Sequence, residues 1–137
     1  MSLKIRKARP EDEAAVLELL RELDLYYNGL RFSGFRVAED SGRIVGIVQL
    51  EPGLDHIFLS SLGISQDRQE QGLASALLNE LLPKQDQDIY LYTIIPDFFK
   101  KFGFEPVIPQ VSLPSKARYD CQDCRPDRCV TMVRRKQ

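Results

Sequence analysis

The stretch from Gln69 to Leu78, QEQGLASALL, combines residue types that suit the binding of an anion. Gly72 and Ala74 stand two residues apart in the first turn of a segment whose apolar spacing predicts a helix. Helices usually begin with an Asp, Ser or Thr cap and avoid glycine in the first turn. The first N–H groups of a helix lack partners within it, and the helix dipole adds partial positive charge. Small residues would let a phosphate approach the amides of residues 69–74, whereas the alternative interpretation is that Gly72 only ends a turn.

This helix follows a predicted strand, and both belong to an alternating series of elements. Strands are expected where apolar residues alternate or run together, and helices where apolar residues recur at helical spacing. Pro10, Pro96 and Gly103 mark helix ends, and the pair Ser41–Gly42 marks a hairpin turn. The predicted strands are 3–8, 34–40, 43–51, 55–64, 88–95, 104–109 and 129–135, and the predicted helices are 11–23, 72–82 and 96–102. We therefore predict a single domain over residues 1–137, of the mixed α/β class.

The composition is that of an ordinary globular domain and excludes several classes of function. Hydrophobic residues make up 43%, charged residues 28%, and the net charge is −1, which argues against a nucleic-acid-binding surface. The N-terminus has no apolar core of signal-peptide length and no run approaches a membrane span, so we expect no membrane association. Three cysteines, an odd number, fit a reduced chain, and we expect a cytoplasmic protein.

Four segments occur in an order that is typical of one enzyme family. They are IRKARPEDEAAV, RVAEDSGRIVGIVQL, SLGISQDRQEQGLASALL and DFFKKFGFEPV. In this order they resemble the first strand and helix, the second hairpin, the acetyl-CoA-binding motif and the late helix of the GCN5-related N-acetyltransferases (GNAT). Gln69, Gly72 and Ala74 stand at the positions of the cofactor motif. The resemblance implies a GNAT-like fold, with a mostly antiparallel sheet flanked by helices, and acetyl-CoA as co-substrate.

The resemblance also implies which residues contact acetyl-CoA. Loop amides would bind the diphosphate, the splayed end of the strand would pair with pantetheine, and an amide there would donate to the thioester oxygen. The set is Leu62, Gly63, Ile64, Gln69, Glu70, Gln71, Gly72, Leu73, Ala74, Ser75 and Phe99. Phe99 stands where many family members carry a tyrosine that protonates the departing thiolate. With Arg68 as the only basic side chain beside Glu70, phosphate binding would depend mainly on amides.

Acetyl transfer to an amine further requires that the amine lose a proton. Ser61, with Ser60 beside it, lies near the expected reaction centre and could hold a water molecule, although serines in strands often only pack or bond to backbone. Tyr92 or Tyr90 could replace the missing tyrosine, although strand tyrosines are more often packing residues. Glu51 is a candidate base. The predicted catalytic residues are Ser61, Tyr92 and Glu51.

His56, beside Asp55, is a further candidate base, because imidazole titrates near neutral pH. The alternative interpretation, which we favour, is a histidine at a strand end in contact with solvent.

The C-terminal third resembles the short branch of the family that is similar to N-acetylglutamate synthase. There a late Leu-Pro-x-Lys precedes a cysteine cluster and a terminal strand with Met, as LPSK precedes CQDCRPDRCVTM here. This branch implies an acceptor similar to an α-amino acid, whose carboxylate Lys116 and Arg118 would bind. The alternative is that both side chains are ordinary surface charges.

Cys121, Cys124 and Cys129 form a C-x2-C-x4-C pattern. Two cysteines so spaced could form half of a zinc site, but a structural zinc site needs four ligands. We therefore expect plain thiols or a redox pair, and no metal.

Together these features predict an acetyl-CoA-dependent N-acetyltransferase that acts on a small-molecule amine. Members of the family are often dimers, so a homodimer is a further expectation. Two alternatives remain open: a catalytically inert acyl-CoA-binding or sensor domain, and an acetyltransferase of protein lysines or N-termini.

Overall fold

The computed structural model describes residues 3–115 and 129–136. These residues form a seven-stranded sheet with three α-helices, and short 3₁₀ turns at Pro10–Asp12, Gln66–Arg68 and Leu82–Lys84. The strands are β1 Leu3–Lys7, β2 Phe35–Asp40, β3 Arg43–Pro52, β4 His56–Ile64, β5 Asp88–Thr93, β6 Glu105–Pro106 and β7 Val130–Arg134. The helices are α1 Glu13–Glu22, α2 Leu73–Leu81 and α3 Pro96–Lys100.

The strand order in the sheet is β1-β2-β3-β4-β5-β7-β6. Every described pair of neighbours is antiparallel except β4 and β5, which are parallel. Parallel neighbours need a long crossover connection, and here the chain from β4 to β5 contains α2. The predicted mixed, mostly antiparallel sheet flanked by helices is therefore confirmed.

Three predicted elements end two or more residues earlier in the structure than the sequence patterns indicate. β5 ends at Thr93, whose Oγ1 accepts a hydrogen bond of 2.9 Å from the Ile95 amide. The predicted strand 104–109 is reduced to Glu105–Pro106, and the predicted helix 96–102 ends at Lys100. The chain then turns at Gly103, which has the expected positive φ of +87°.

The sheet carries apolar layers on both faces. α2 and α3 cover one face, with Leu59, Leu77, Leu91, Phe99 and Met132 in the same cluster of buried residues. α1 covers the other face over β2 and β3, because Val16, Leu19 and Leu20 recur at helical spacing and pack on Val37 and Ile47. We call the face that α1 covers the α1 face. On this face, Phe58, Tyr90 and Val133 pack against Tyr92, Val107, Val111 and Leu113.

A charged contact joins α1 to the edge of the sheet. The Asp12 carboxylate lies 2.7 Å from the Arg6 guanidinium on β1 and accepts a hydrogen bond of 2.7 Å from the Arg9 amide. The Arg6 guanidinium also lies 2.8 Å from Glu39 on β2. The hydrogen bonds from Arg6 lower the pKa of Asp12 from 3.8 to about 2. Asp12 thereby orients the start of α1 against the sheet.

Candidate active site

β4 and β5 pair over only three residues, and the gap beyond them is the centre of the candidate site. The parallel register runs from His56–Asp88 to Phe58–Tyr90 and then stops. Further along, residues 59–64 of β4 and residues 91–93 of β5 form two walls of a cleft of about 660 Å³. Backbone groups of β4 that would have paired with β5 thus line a cavity.

A bulge in β4 lies at the edge of this cleft. On β3, Gln49 faces Ser60, but Ile47, two residues away, faces Gly63, three residues away, so β4 contains one extra residue. Ser61 has a φ of +55°, an unusual conformation for a residue with a side chain. The bulge changes the alternation of the strand, because Ile57 and Leu59 before it and Leu62 and Ile64 after it all pack in the same cluster. Bulges are often found beside active sites, where they redirect the backbone.

The loop 69–72 and the start of α2 lie at the mouth of the cleft. Gly72 is the N-cap of α2 with φ +77° and ψ 14°, a left-handed conformation that explains the glycine in the sequence. A methyl group at Gly72 would meet no atom within 4 Å, so the backbone there is open to a ligand. Glu70 also has a positive φ, of +64°, and the Gln69 side chain donates a hydrogen bond of 3.0 Å to the Ile64 carbonyl.

The rest of the cleft wall is apolar. Leu23 and Leu25, from the chain just after α1, line the cleft together with Phe98, Phe99 and the exposed pair Ile94–Ile95. Cys129 is half-buried in the same wall. Among the described residues that line the cleft, none carries a charged side chain. Such a wall favours an uncharged amine over an ammonium ion, since burial of an unpaired charge is unfavourable.

Tyr92 joins the cleft to a second cavity on the α1 face. Its ring contacts that of Phe58, with ring centroids 4.9 Å apart, and its hydroxyl donates a hydrogen bond to the Pro114 carbonyl. Phe58 and Pro114 line the second cavity, of about 560 Å³, together with Glu51 and His56. Burial raises the pKa of Tyr92 above its usual value of 10, and nearby Cys129 adds to this effect. The phenol therefore keeps its proton at neutral pH.

The structure separates the candidate residues for proton transfer into two groups. Ser60, Ser61 and Tyr92 line the cleft, whereas Glu51 and His56 line the second cavity. Glu51 faces Phe58, three residues from Ser61, which is about 10 Å along the strand at about 3.3 Å per residue. His56 is five residues from Ser61, about 16 Å by the same rise, so it cannot contact a group at the bulge.

His56 has local partners of its own. The His56 Nδ1 lies 3.0 Å from Asp55 Oδ1, and the ring packs edge-on against Tyr90. The His56 ring is buried at the start of β4 rather than exposed at a strand end.

The predicted cofactor residues fall into three groups. Leu62, Gly63, Ile64, Gln69, Ala74 and Phe99 line the cleft. Glu70, Gln71, Gly72 and Ser75 lie on the loop and the first turn of α2, while the Leu73 side chain is buried, which leaves only its backbone for a ligand. Lys116, Arg118, Cys121 and Cys124 lie outside the described residues. Within residues 3–115 and 129–136, no three His, Cys, Asp or Glu residues are placed to hold a metal ion.

Sequence analysis missed two features of the site: the bulge in β4, and the position of Leu23 and Leu25 in the cleft wall. The Ser60–Ser61 pair shifts the apolar positions from odd to even numbers, a signal for a bulge that is visible in the sequence. Leu23 and Leu25 reach the cleft because Gly63 has no side chain; a Cβ there would lie 2.6 Å from Leu23 and 2.8 Å from Leu25. Nothing in the local pattern of residues 23–25 indicates this contact.

A family model described as the acetyltransferase (GNAT) domain matches residues 31–106, more than half of the chain. The chain belongs to the GNAT family of acetyltransferases. The match contains the hairpin, the bulged strand, the loop at Gly72 and the whole of α2, β5 and α3. The predicted family is thus confirmed, and it supports N-acetyltransferase activity.

Solved structures show the same fold. N-acetylglutamate synthase from Neisseria gonorrhoeae, complexed with coenzyme A and N-acetyl-glutamate, superposes with a TM-score of 0.75 at 21% identity. The alignment covers 100% of this chain but 36% of the synthase, so the chain spans about a third of that protein. Arabidopsis thaliana Naa50, in complex with a bisubstrate analogue, gives a TM-score of 0.68 at 22% identity and covers 97% of this chain and 98% of its own.

Rv2747 from Mycobacterium tuberculosis, in complex with CoA, gives a TM-score of 0.75 at 18% identity, with 98% and 99% of the two chains covered. At these identities the likeness is one of fold. No helix among the described residues is long and apolar enough to cross a membrane.

Proposed function

We propose that the chain is an acetyl-CoA-dependent N-acetyltransferase whose acceptor is the amine of a small molecule, an amino acid or a compound similar to one. The observation that carries this proposal is the uncharged cleft between β4 and β5, which has the bulge at Ser61 on one side and the amides of the loop and α2 at its mouth.

The cleft can accommodate acetyl-CoA as substrate. The diphosphate binds amides of residues 69–75, where the left-handed conformation of Gly72 leaves the backbone uncovered and the helix dipole favours an anion. The pantetheine arm pairs with the open edge of β4 at residues 62–64. A backbone N–H beside the bulge donates to the thioester oxygen as it gains negative charge during attack by the amine.

The amine loses its proton through water rather than directly to a side chain. Ser60 and Ser61 line the cleft and can hold a water that accepts the proton from the amine. Glu51 lines the second cavity on the α1 face, about 10 Å away along the strand, so it can take up the proton only through a chain of further waters. Tyr92 keeps its proton at neutral pH and lies in the cleft, so it is the available donor to the coenzyme A thiolate. Before it donates, its hydrogen bond to Pro114 must break.

The amino-acid acceptor is supported by the residues beyond Pro114. In the sequence, Lys116 and Arg118 follow Pro114, whose carbonyl accepts the hydrogen bond from Tyr92, and a lysine and an arginine suit an α-carboxylate. The N-acetylglutamate synthase structure, with N-acetyl-glutamate bound, agrees with such an acceptor, whereas Naa50 binds a bisubstrate analogue with a peptide part. A peptide amine is therefore the acceptor to test against the amino acids.

One observation favours a second candidate, an acyl-CoA-binding domain without turnover. Phe99 is buried and packs on Phe98 and Phe104, with centroids 5.0 and 5.8 Å away, so α3 offers no hydroxyl at the usual tyrosine position. The Tyr92 hydroxyl, the nearest substitute in the cleft, donates to a backbone carbonyl.

Steady-state release of coenzyme A thiol, with acetyl-CoA and a panel of amines, tests both candidates. The panel contains the amino acids, simple amines without a carboxylate, and a short peptide with a free N-terminus. We expect turnover with at least one amino acid, and loss of turnover in Gly72→Glu, since a carboxylate at the exposed N-cap repels the diphosphate without disturbing buried residues. Binding of coenzyme A without turnover on any amine would support the second candidate, and turnover on the peptide alone would overturn the small-molecule acceptor.

Three further expectations stay predictions. They are a single domain over residues 1–137, a cytoplasmic location and a homodimer.

A further inference from the structure

Two arginines adjoin the proposed cofactor loop, and both are paired with carboxylates. Arg68, one residue before the loop, lies 2.6 Å from the Asp40 carboxylate, whose side chain is only 8% exposed. Arg43 forms two hydrogen bonds with Asp67, of 2.7 and 2.9 Å, and a third of 3.0 Å with the Ser65 hydroxyl. The Ser65 hydroxyl in turn donates to Asp67.

The two ion pairs form one compact arrangement, which we call the hairpin clamp: Asp40, Arg43, Asp67 and Arg68. Asp40 ends β2, Arg43 begins β3, and the two face each other across the hairpin turn. Asp67 and Arg68 are consecutive in the 3₁₀ turn that leads from β4 to the loop. Two facing residues of the hairpin therefore hold two successive residues of the turn.

The charges of the clamp explain why Arg68 is not available to a phosphate. If the Arg68 guanidinium turned to a ligand, the nearly buried Asp40 carboxylate would lose its ion pair, which is strongly unfavourable. The hydrogen bonds from Arg43, followed by that from Ser65, hold the pKa of Asp67 well below its usual value. The Arg43–Asp67 pair therefore stays charged at neutral and mildly acidic pH.

We infer that the hairpin clamp positions the 69–72 loop for the diphosphate of coenzyme A, and that Arg68 acts through Asp40 rather than on the phosphates. The inference rests on the proposed function, because it assigns a role in cofactor binding. Its physical basis is preorganisation: a loop that is already held loses less conformational entropy when the ligand binds.

A double-mutant cycle of coenzyme A affinity, measured by calorimetry, distinguishes positioning from direct contact. We expect Arg68→Ala and Asp40→Asn each to weaken binding about tenfold, and the double variant to bind no more weakly than either single variant, since both remove the same contact. Should Arg68 instead touch the phosphates, Asp40→Asn would release it, and affinity would stay the same or increase. That result would overturn the inference.

The matched control is Arg135→Ala. Arg135 pairs with Asp88 at 3.1 Å, at the opposite end of β5 from the cleft, and the variant removes an arginine ion pair without touching the loop. We expect its affinity for coenzyme A to equal that of the unaltered chain. We expect Arg68→Lys to retain part of the affinity that Arg68→Ala loses.

A donor without the diphosphate separates positioning from a general loss of structure. In Arg68→Ala, we expect the KM for acetyl-CoA to rise about tenfold with kcat unchanged, while turnover of S-acetylpantetheine stays as in the unaltered chain. A fall in turnover with both donors would mean that the clamp only maintains the fold, and would overturn the inference. Failure of the unaltered chain to bind coenzyme A would overturn the proposed function itself, and is seen before any variant is compared.

Discussion

Gly72 meets two requirements: it adopts a positive φ at the N-cap of α2, and it leaves the backbone uncovered for the diphosphate. Replacement of Gly72 by alanine separates the two. Alanine must adopt a φ of +77°, which costs about 1 kcal/mol for a residue with a side chain. No steric cost is added, because its methyl group meets no atom within 4 Å. In a chain of 137 residues this corresponds to a fall in Tm of about 3–5 °C.

The same methyl group projects into the space that the proposal gives to the diphosphate. Loss of one hydrogen bond from an amide to a charged oxygen costs about 1.5–3 kcal/mol, so the Kd for coenzyme A should rise about 10- to 150-fold. Gly29→Ala is the matched control, since Gly29 has a φ of +84° and equally open surroundings. It lies between α1 and β2, outside the loop.

Thermal unfolding and titration calorimetry on both variants test this reasoning. We expect similar falls in Tm for Gly72→Ala and Gly29→Ala, and weaker binding of coenzyme A for Gly72→Ala alone. If the two variants bind coenzyme A equally well, the N-cap backbone does not contact the diphosphate, and the placement of the cofactor at this loop is refuted.

Three further outcomes follow from the geometry. Tyr92→Phe removes the hydrogen bond to Pro114, so we expect Tm to fall by an amount equivalent to about 1 kcal/mol. We also expect a larger fall in kcat with acetyl-CoA than with an acetyl thioester of a more acidic thiol, whose thiolate needs less help from a proton donor. Equal falls in kcat with both donors would exclude proton donation by Tyr92. Phe99→Tyr should leave kcat unchanged or higher, and a large fall in kcat would show that tight packing on Phe98 matters more than a new hydroxyl. The lowered pKa of Asp12 means that its contribution to stability is present above pH 4 and is lost as pH falls from 3.8 towards 2. Asp12→Asn should therefore cost about 1 kcal/mol at neutral pH, allowing for screening by solvent, and only a small part of that near pH 2, where Asp12 is about half protonated; denaturant unfolding at several pH values measures this difference.

Much of the fold can be predicted from the sequence because the relevant signals are local. The hairpin turn at Ser41–Gly42 and the apolar spacing of α1 depend on neighbouring residues and lie where they were predicted. The start of α2 was predicted at Gly72, which the structure makes the N-cap, one residue before the helix begins. The order of the strands is not local: β7 lies between β5 and β6, and no pattern within residues 130–134 shows which neighbours it has.

In the candidate site, too, features that depend on neighbouring residues could be predicted and features that depend on distant residues could not. The loop at Gly72 is visible as a motif, but the cleft depends on where β4 and β5 stop pairing, which is a property of two strands separated by a helix. The partner of Arg68 could not be predicted either, because Asp40 is 28 residues away along the chain. Sequence analysis named Arg68 as the only basic side chain beside Glu70 and expected amides to bind the phosphates, and the structure places the Arg68 guanidinium on a carboxylate of the neighbouring hairpin.

The short parallel seam between β4 and β5 has a thermodynamic consequence. Hydrogen bonds across only three residue pairs join the sheet built by β1–β4 to the sheet built by β5–β7. Acetyl-CoA bound in this gap would contact both halves of the sheet and connect them, as a further strand would, for as long as it stays bound. Ligand occupancy would then stabilise the joined halves by RT ln(1 + [L]/Kd), which raises the temperature at which they separate, and it would slow deuterium uptake most at the residues that flank the seam.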